Sequence, residues 1–122
     1  MAIAAVAGIA DVAVDDGWRE TDFGIAEGLT FEELERATPE LAQRLAAGDT
    51  WIDWPDGECA EDLASRVTVA WRDVVATDGD TVVISHAGPL RIAIAVATGR
   101  RPNGVEIPRP GAFVRVPLPV AG

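Results

Sequence analysis

The sequence has 122 residues, enough for one domain with its own core, and 48% of the residues are hydrophobic. The formal net charge is −10 and all ten basic residues are arginines, which excludes nucleic acids and anionic membrane surfaces as partners. The single cysteine excludes an internal disulfide and fits a reducing, cytoplasmic setting, and no stretch reaches the ~20 apolar residues of a transmembrane helix.

The first half of the chain predicts short elements joined by loops. Its apolar start predicts a helix that ends near Gly8, and then a strand over residues 11–14. Residues 15–29 hold three glycines and five carboxylates without a regular period, which is typical of an ordered loop. Two helices follow, and their start signals are a capping box at Thr30 and Glu33 and the pair Thr38-Pro39.

The second half predicts a long helix, a strand, a helix and a last strand. The long helix, over residues 59–76, carries an amphipathic stripe. The β-branched run within residues 81–85 predicts a central strand that is buried on both faces. Pro89 opens a helix that runs to about Thr98, and alternation over residues 112–118 predicts a final edge strand. Helices that alternate with buried strands indicate an α/β fold.

The only histidine directly follows the predicted central strand. His86 stands just before a helix, and open α/β sheets bind their ligands at such a corner. The free N–H groups of a helix N-terminus attract anions such as phosphate, and Gly88 allows a ligand to approach the backbone. No cluster of His, Cys, Asp and Glu has the spacing of metal ligands, so no metal is predicted.

Three segments resemble motifs of the histidine phosphatase (phosphoglycerate mutase-like) superfamily. "VVISHAGPLR" (82–91) resembles its second histidine motif, and "WRETDFGIAEGLTFEEL" (18–34) resembles E-x-x-[FY]-G-x-x-E-G-[LM]-[ST]. "PDGECAEDLASRV" (55–67) is similar to P-x-G-E-S…R-V. The resemblance implies a three-layer αβα fold with a mostly parallel sheet, as in phosphoglycerate mutase. It also implies a small phosphorylated metabolite as substrate, with no metal or organic cofactor.

The resemblance also implies roles for particular residues. His86 matches the second active-site histidine, which contacts the phosphoryl group, and the substrate-binding set becomes His86, Ala87 and Gly88. Glu20 matches the proton donor, which protonates the leaving alkoxide. Three further matches are expected to be structural: Glu27, Glu58 and Arg66. Trp51 and Trp54 are expected either to shape the pocket or to be core residues. Arg100, Arg101 and Arg109 are expected to be solvated surface residues, with contact to a substrate phosphate or carboxylate as the alternative.

The superfamily's Arg-His-Gly motif, whose histidine is the nucleophile, has no match in this sequence. We therefore expect a single partial, N-terminally truncated domain over residues 1–122, whether through a gene model, an excised fragment or a real loss. An open sheet edge could pair two copies as a homodimer. The function expected is the C-terminal part of a phosphomonoester hydrolase of broad-specificity or α-ribazole type, inactive alone. The alternatives are a non-catalytic anion-binding or interaction module and a mutase-type phosphotransferase.

Overall fold

The computed structural model describes residues 11–117, in which α-helices and short 3-10 turns are joined by loops. Four α-helices lie within these residues: α1 (Phe31–Ala37), α2 (Pro39–Ala46), α3 (Ala60–Val75) and α4 (Ala87–Thr98). The 3-10 turns are Asp16–Trp18, Gly24–Ala26 and Pro102–Gly104. None of the helices described is long and apolar enough to cross a membrane.

The helix boundaries follow the local signals in the sequence closely. The capping box before α1 is present, since Thr30 and Glu33 bond reciprocally to each other's backbone N–H groups. Pro39 occupies the first turn of α2, where its missing N–H costs nothing. Helix α4 begins two residues earlier than Pro89 and ends before Gly99, whose φ of 71° is the left-handed conformation that favours glycine.

Two small hydrophobic clusters hold the helices together. The first core lies between α3 and α4, and the loop residue Trp18 packs against it; its buried members are Leu63, Val67, Ile92 and Ala93. The second core joins α1, α2 and the segment before α3; its buried members are Leu34, Leu41 and Ile52, with Ala26, Leu45 and Trp54 packed around them. The Glu20 loop, residues 15–29, touches both cores, because Trp18 belongs to one and Ala26 to the other.

The predicted α/β fold, a three-layer αβα arrangement with a mostly parallel sheet, is wrong for the residues described. Between residues 11 and 117 there is no strand, and the predicted strands at 11–14, 81–85 and 112–117 have no regular structure. The supposed central strand is not buried either, since Val82 is 71% exposed. The physical reason is pairing: a strand needs a neighbour for its N–H and C=O groups, and β-branched residues alone do not supply one.

Two other expectations depend on the same segments. The sheet edge through which two copies were expected to pair does not exist within residues 11–117. The helix predicted to end near Gly8 and the last residue of the predicted final strand, Leu118, lie outside the described residues. Helices α1 to α4 therefore lie where the sequence predicts helices. Every predicted strand within the described residues is an irregular segment.

Candidate active site

The structure brings Glu20 and His86 together, although 66 positions separate them in the chain. The Glu20 Oε2 atom lies 3.6 Å from His86 Nδ1. The two side chains are 37% and 57% exposed, respectively, so a ligand can reach both from solvent. Glu20 is further oriented by its own neighbour, because the Thr21 N–H donates a hydrogen bond of 2.8 Å to Oε1. A carboxylate and an imidazole thus share one corner of the molecule.

The corner lies at the N-terminus of α4, where backbone donors remain free. His86 is the N-cap residue, and its side chain makes no capping hydrogen bond. The first intrahelical bond runs from the Leu90 N–H to the His86 carbonyl, and Pro89 has no N–H. The N–H groups of Ala87 and Gly88 consequently donate to no residue among those described. Such donors, together with the helix dipole, favour an anion beside His86.

The sequence predicted that Gly88 allows a ligand to approach the backbone, and the structure gives a different reason for glycine at this position. A Cβ atom there would lie 2.5 Å from Thr21 Oγ1 and 3.4 Å from Glu20 Oε1. The close approach in the structure is therefore made by the Glu20 loop rather than by a ligand. Thr21 is also the buried polar residue of this corner, at 5% exposure. Gly88 lets the loop that carries the carboxylate dock directly on the helix that follows His86.

Arg66 of α3 holds the backbone of the Glu20 loop in place. Its Nη1 donates to the carbonyl oxygens of Gly17 and Arg19, at 2.8 and 3.0 Å, and its Nη2 donates to that of Glu20 at 3.3 Å. On its other side, Nε and Nη2 donate to the two carboxylate oxygens of Glu58, at 2.6 and 2.9 Å. The planar guanidinium suits this forked geometry. Arg66 therefore ties α3 to three carbonyl groups of the loop, all within residues 17–20.

The charge of Glu58 is part of the same arrangement. Glu58 and Arg66 are both mostly buried, with side chains 10% and 14% exposed. The hydrogen bonds from Arg66 hold the pKa of the Glu58 carboxyl below its ordinary value, against the opposing effect of burial. The Glu58 N–H also donates to the Asp22 carbonyl at 2.9 Å. Glu58 thus stays ionised near neutral pH and joins the Glu20 loop to the start of α3.

The two motif loops dock backbone to backbone through a pair of glycines. Gly24 has a φ of 54°, and a Cβ there would collide with the Pro55 carbonyl oxygen. A Cβ at Gly57 would lie 2.5 Å from the Asp22 carbonyl oxygen. The Ile25 N–H donates to the Pro55 carbonyl at 3.0 Å across the same contact. These glycines explain in physical terms why both motifs need glycine where this sequence has it.

A cleft of about 310 Å³ extends from the Glu20 corner between the two cores. Trp51 and Trp54 line it, as expected from the sequence. Arg91 lines it too and was not predicted, although it follows Ala87 by one helical turn and so shares its face. The other lining residues are Glu20, Thr21, Phe23, Leu45, Gly48, Asp49, Thr50, Ile52, Ala60, Leu63, Ala87, Gly88 and Ile92.

The remaining sequence-derived candidates do not line this cleft, although Arg100 lines a neighbouring hollow together with Trp51 and Ile92. Arg100, Arg101 and Arg109 are not among its lining residues, and neither is His86, although the next residues in the chain, Ala87 and Gly88, do line it. Glu27 accepts a hydrogen bond of 3.0 Å from the Phe23 N–H and so closes a local turn. In the part of the chain described, no three His, Cys, Asp or Glu side chains are grouped as metal ligands would be.

Carboxylate, imidazole and two free N–H groups around one opening make this corner suited to acid–base chemistry on an anion. The family model of the histidine phosphatase superfamily (branch 1) matches residues 1–110, and the chain belongs to this superfamily. No solved structure gives a significant match.

The curated relatives that the chain matches are much longer than the chain itself. The bifunctional protein Rv2228c of Mycobacterium tuberculosis is 44% identical over 89 residues, which are 71% of this chain and 24% of that protein. An uncharacterized protein of Mycobacterium bovis has the same identity and coverage. The 6-phosphofructo-2-kinase/fructose-2,6-bisphosphatase of Caenorhabditis elegans is 33% identical over 76 residues, which are 62% of this chain and 16% of that protein. The match therefore spans a quarter or less of each relative.

Proposed function

We propose that this chain supplies the proton donor and the phosphate ligands of a phosphomonoester hydrolase that acts through a phosphohistidine intermediate. The observation that carries the proposal is the Glu20 Oε2 to His86 Nδ1 distance of 3.6 Å at the N-terminus of α4. Superfamily membership and the distant bisphosphatase relative support the same chemistry. The substrate is a small phosphorylated metabolite, and a broad-specificity or α-ribazole-type enzyme fits this proposal best.

The proposed roles divide two successive displacements at phosphorus among these residues. His86 and the free N–H groups of Ala87 and Gly88 hold the non-bridging oxygens, where negative charge is concentrated. A histidine nitrogen attacks phosphorus and the bond to the ester oxygen breaks, while Glu20 gives its proton to that oxygen. The Glu20 carboxylate then takes a proton from the water that attacks the phosphohistidine. Phosphate leaves, and both side chains return to their starting forms.

The nucleophile in this scheme lies outside the 122 residues. His86 is the only histidine of the sequence, and the scheme assigns it to the phosphoryl oxygens. A second histidine, within Arg-His-Gly, has to come from another segment. We therefore expect this chain alone to hydrolyse phosphate monoesters only at the background rate.

The test compares two substrates whose leaving groups differ in their need for a proton. p-Nitrophenolate leaves as a stable anion, whereas the alkoxide of glycerol 2-phosphate must be protonated. The proteins are this chain and the same chain joined to an N-terminal segment that carries Arg-His-Gly. In the joined protein, Glu20→Gln should lower kcat on glycerol 2-phosphate about 100-fold and change hydrolysis of p-nitrophenyl phosphate far less. His86→Ala should lower both, and the control Glu27→Gln neither.

Two outcomes would contradict the proposal. If the 122-residue chain alone turns over p-nitrophenyl phosphate and His86→Ala abolishes that activity, His86 is itself the nucleophile. If Glu20→Gln lowers both activities equally, Glu20 is not the proton donor.

A second candidate function follows from the single histidine. Without a nucleophile, the same corner can act as a non-catalytic anion-binding module. This alternative becomes the better one if the joined protein stays inactive on both substrates while the 122-residue chain binds inorganic phosphate and His86→Ala abolishes that binding.

A further inference from the structure

The cleft beside Glu20 is far less polar than the corner from which it extends. Three aromatic side chains line it, namely Phe23, Trp51 and Trp54, and the Phe23 and Trp54 rings pack edge to face at 4.8 Å. Aliphatic side chains from both cores complete its walls: Leu45, Ile52, Leu63 and Ile92. A volume of about 310 Å³ with apolar walls and a few polar groups is typical of a small-molecule site.

The charged groups of the cleft are distributed unevenly. Glu20 and Arg91 lie at the end of the cleft next to α4, since Arg91 is one helical turn beyond Ala87. At the rim near Trp51 the charged lining residue is Asp49, which forms a 2.7 Å ion pair with Arg44. Arg44 also donates from Nη2 to the Trp51 carbonyl at 2.7 Å. Among the residues that line the cleft, the aromatic end therefore carries the Asp49 carboxylate and no cation.

From this distribution we infer that the cleft receives the alcohol part of a phosphate monoester whose body is uncharged, flat and largely apolar, such as an aryl phosphate. The inference rests on the proposed function, because it places the phosphoryl group at His86 and the N-terminus of α4. The ring then lies against Trp51 and Trp54, where stacking and burial favour an aromatic body over a polyol. A sugar bisphosphate fits poorly, since its second phosphate would meet the ionised Asp49.

The chain itself provides signals for both ends of such a ligand in an NMR spectrum. The imidazole signals of the only histidine report on the phosphoryl end, and the indole N–H signals of Trp51 and Trp54 report on the aromatic end. The probes are 1-naphthyl phosphate, glycerol 2-phosphate and inorganic phosphate, with 1-naphthol as the ring without phosphate. Trp51→Ala is the test variant, because the backbone groups of Trp51 that bond to Arg44 and Asp49 remain. Phe113→Ala is the control, since Phe113 is 89% exposed and lies outside the cleft.

We expect 1-naphthyl phosphate to shift the signals at both ends and to bind about tenfold more tightly than glycerol 2-phosphate, the effect of one good aromatic contact. Trp51→Ala should remove that advantage and leave the affinity for inorganic phosphate within about twofold, which also shows that the variant is folded. Phe113→Ala should change neither affinity.

Three results would overturn the inference, and they differ in what else they affect. If inorganic phosphate shifts the His86 signals but the naphthyl ester binds no better than the glycerol ester, the aromatic subsite fails and the proposed function survives. The same holds if Trp51→Ala and Phe113→Ala behave alike. If 1-naphthol shifts the tryptophan signals while no phosphate compound shifts those of His86, the proposed function fails as well, and the cleft binds apolar molecules only.

Discussion

At the scale of single residues, Arg66 and Glu58 are the pair on which the candidate site depends most. Arg66 donates hydrogen bonds to three loop carbonyls and one carboxylate. These bonds fix the position of the backbone from which Glu20 projects. A lysine at position 66 has the charge but not the fork, so it cannot hold all these acceptors together. The distance between Glu20 and His86 therefore depends on Arg66, a residue outside the candidate site.

The lowered pKa of Glu58 makes this pair sensitive to acid. The unfolded chain has an ordinary Glu58, with a pKa near 4.5, and the folded chain has a lower one. The stabilising contribution is therefore complete above pH 4.5 and is lost as the pH falls through the folded value. Glu58→Gln should lower the free energy of unfolding by about 2 kcal/mol at pH 7, and the difference from wild type should shrink below pH 4.5. Urea unfolding at several pH values measures both.

The control for this change is Glu35→Gln. Glu35 is exposed on α1 and makes no ion pair within the described residues, so its loss should leave the stability nearly unchanged at every pH. Parallel pH profiles for Glu58→Gln and wild type would show that the pair contributes no pH-dependent stability.

At the scale of elements, caps and loop contacts decide where the helices begin and how the loops meet. The capping box at Thr30 satisfies two backbone donors at the start of α1. Thr38 precedes α2 without any capping hydrogen bond from its side chain. The docking of the two motif loops depends on Gly24 and Gly57, which allow one backbone to contact the other. The contribution of each feature to stability can be measured by comparing substitutions at two matched positions.

Thr30→Ala should destabilise the protein by about 1 kcal/mol, because the Glu33 N–H at the start of α1 loses its acceptor and the Glu33 carboxylate loses the Thr30 hydroxyl. Thr38→Ala should cost about half as much or less, since that side chain caps nothing and only reaches back to the Leu34 carbonyl at 3.4 Å. Thermal unfolding followed by circular dichroism ranks the two variants. Equal losses would mean that the capping box adds nothing beyond threonine itself.

Gly24→Ala and Gly28→Ala separate backbone strain from collision. Both glycines have positive φ, 54° and 75°, but a Cβ at Gly28 meets nothing within 4 Å. Gly28→Ala should therefore cost only the conformational strain, about 1 kcal/mol. Gly24→Ala should cost about 3 kcal/mol, since the strain is joined by a clash with Pro55. The free energy of unfolding in urea gives both values, and a loss of the same size in the two variants would show that the loops do not dock at Gly24.

The helices and much of the site could be predicted from the sequence because their signals are local. Thr30, Pro39 and Gly99 mark helix ends within one turn, and the motif segments pointed to Glu20 and His86, which the structure places side by side. The strands could not be predicted, because β-branched residues such as Val82 form a strand only beside a partner that no local pattern specifies. The carbonyls bound by Arg66 are equally non-local, since they lie 46 to 49 positions away.

At the scale of the whole molecule, the structure is a set of helices around two cores, with extended segments at the surface. This arrangement and a sheet fold make opposite predictions for two valines. Val67 is completely buried in the first core, and Val67→Ala should lower the free energy of unfolding by about 2 kcal/mol. Val82 lies in the supposed central strand but is exposed, and Val82→Ala should change stability by less than about 0.5 kcal/mol. Denaturant titrations of both variants decide the matter, and a large loss at Val82 would favour a buried strand.

The position of the cleft has a consequence for how the molecule comes apart. Leu63 and Ile92 in its walls belong to the first core, whereas Ile52, Leu45 and Trp54 belong to the second. Opening either core therefore destroys the cleft, and a bound ligand opposes both events with the same free energy, about 2.7 kcal/mol at a hundredfold excess over Kd. In the absence of a ligand the two cores can open separately. Occupancy makes them open together, so a molecule built around two cores unfolds as one cooperative unit.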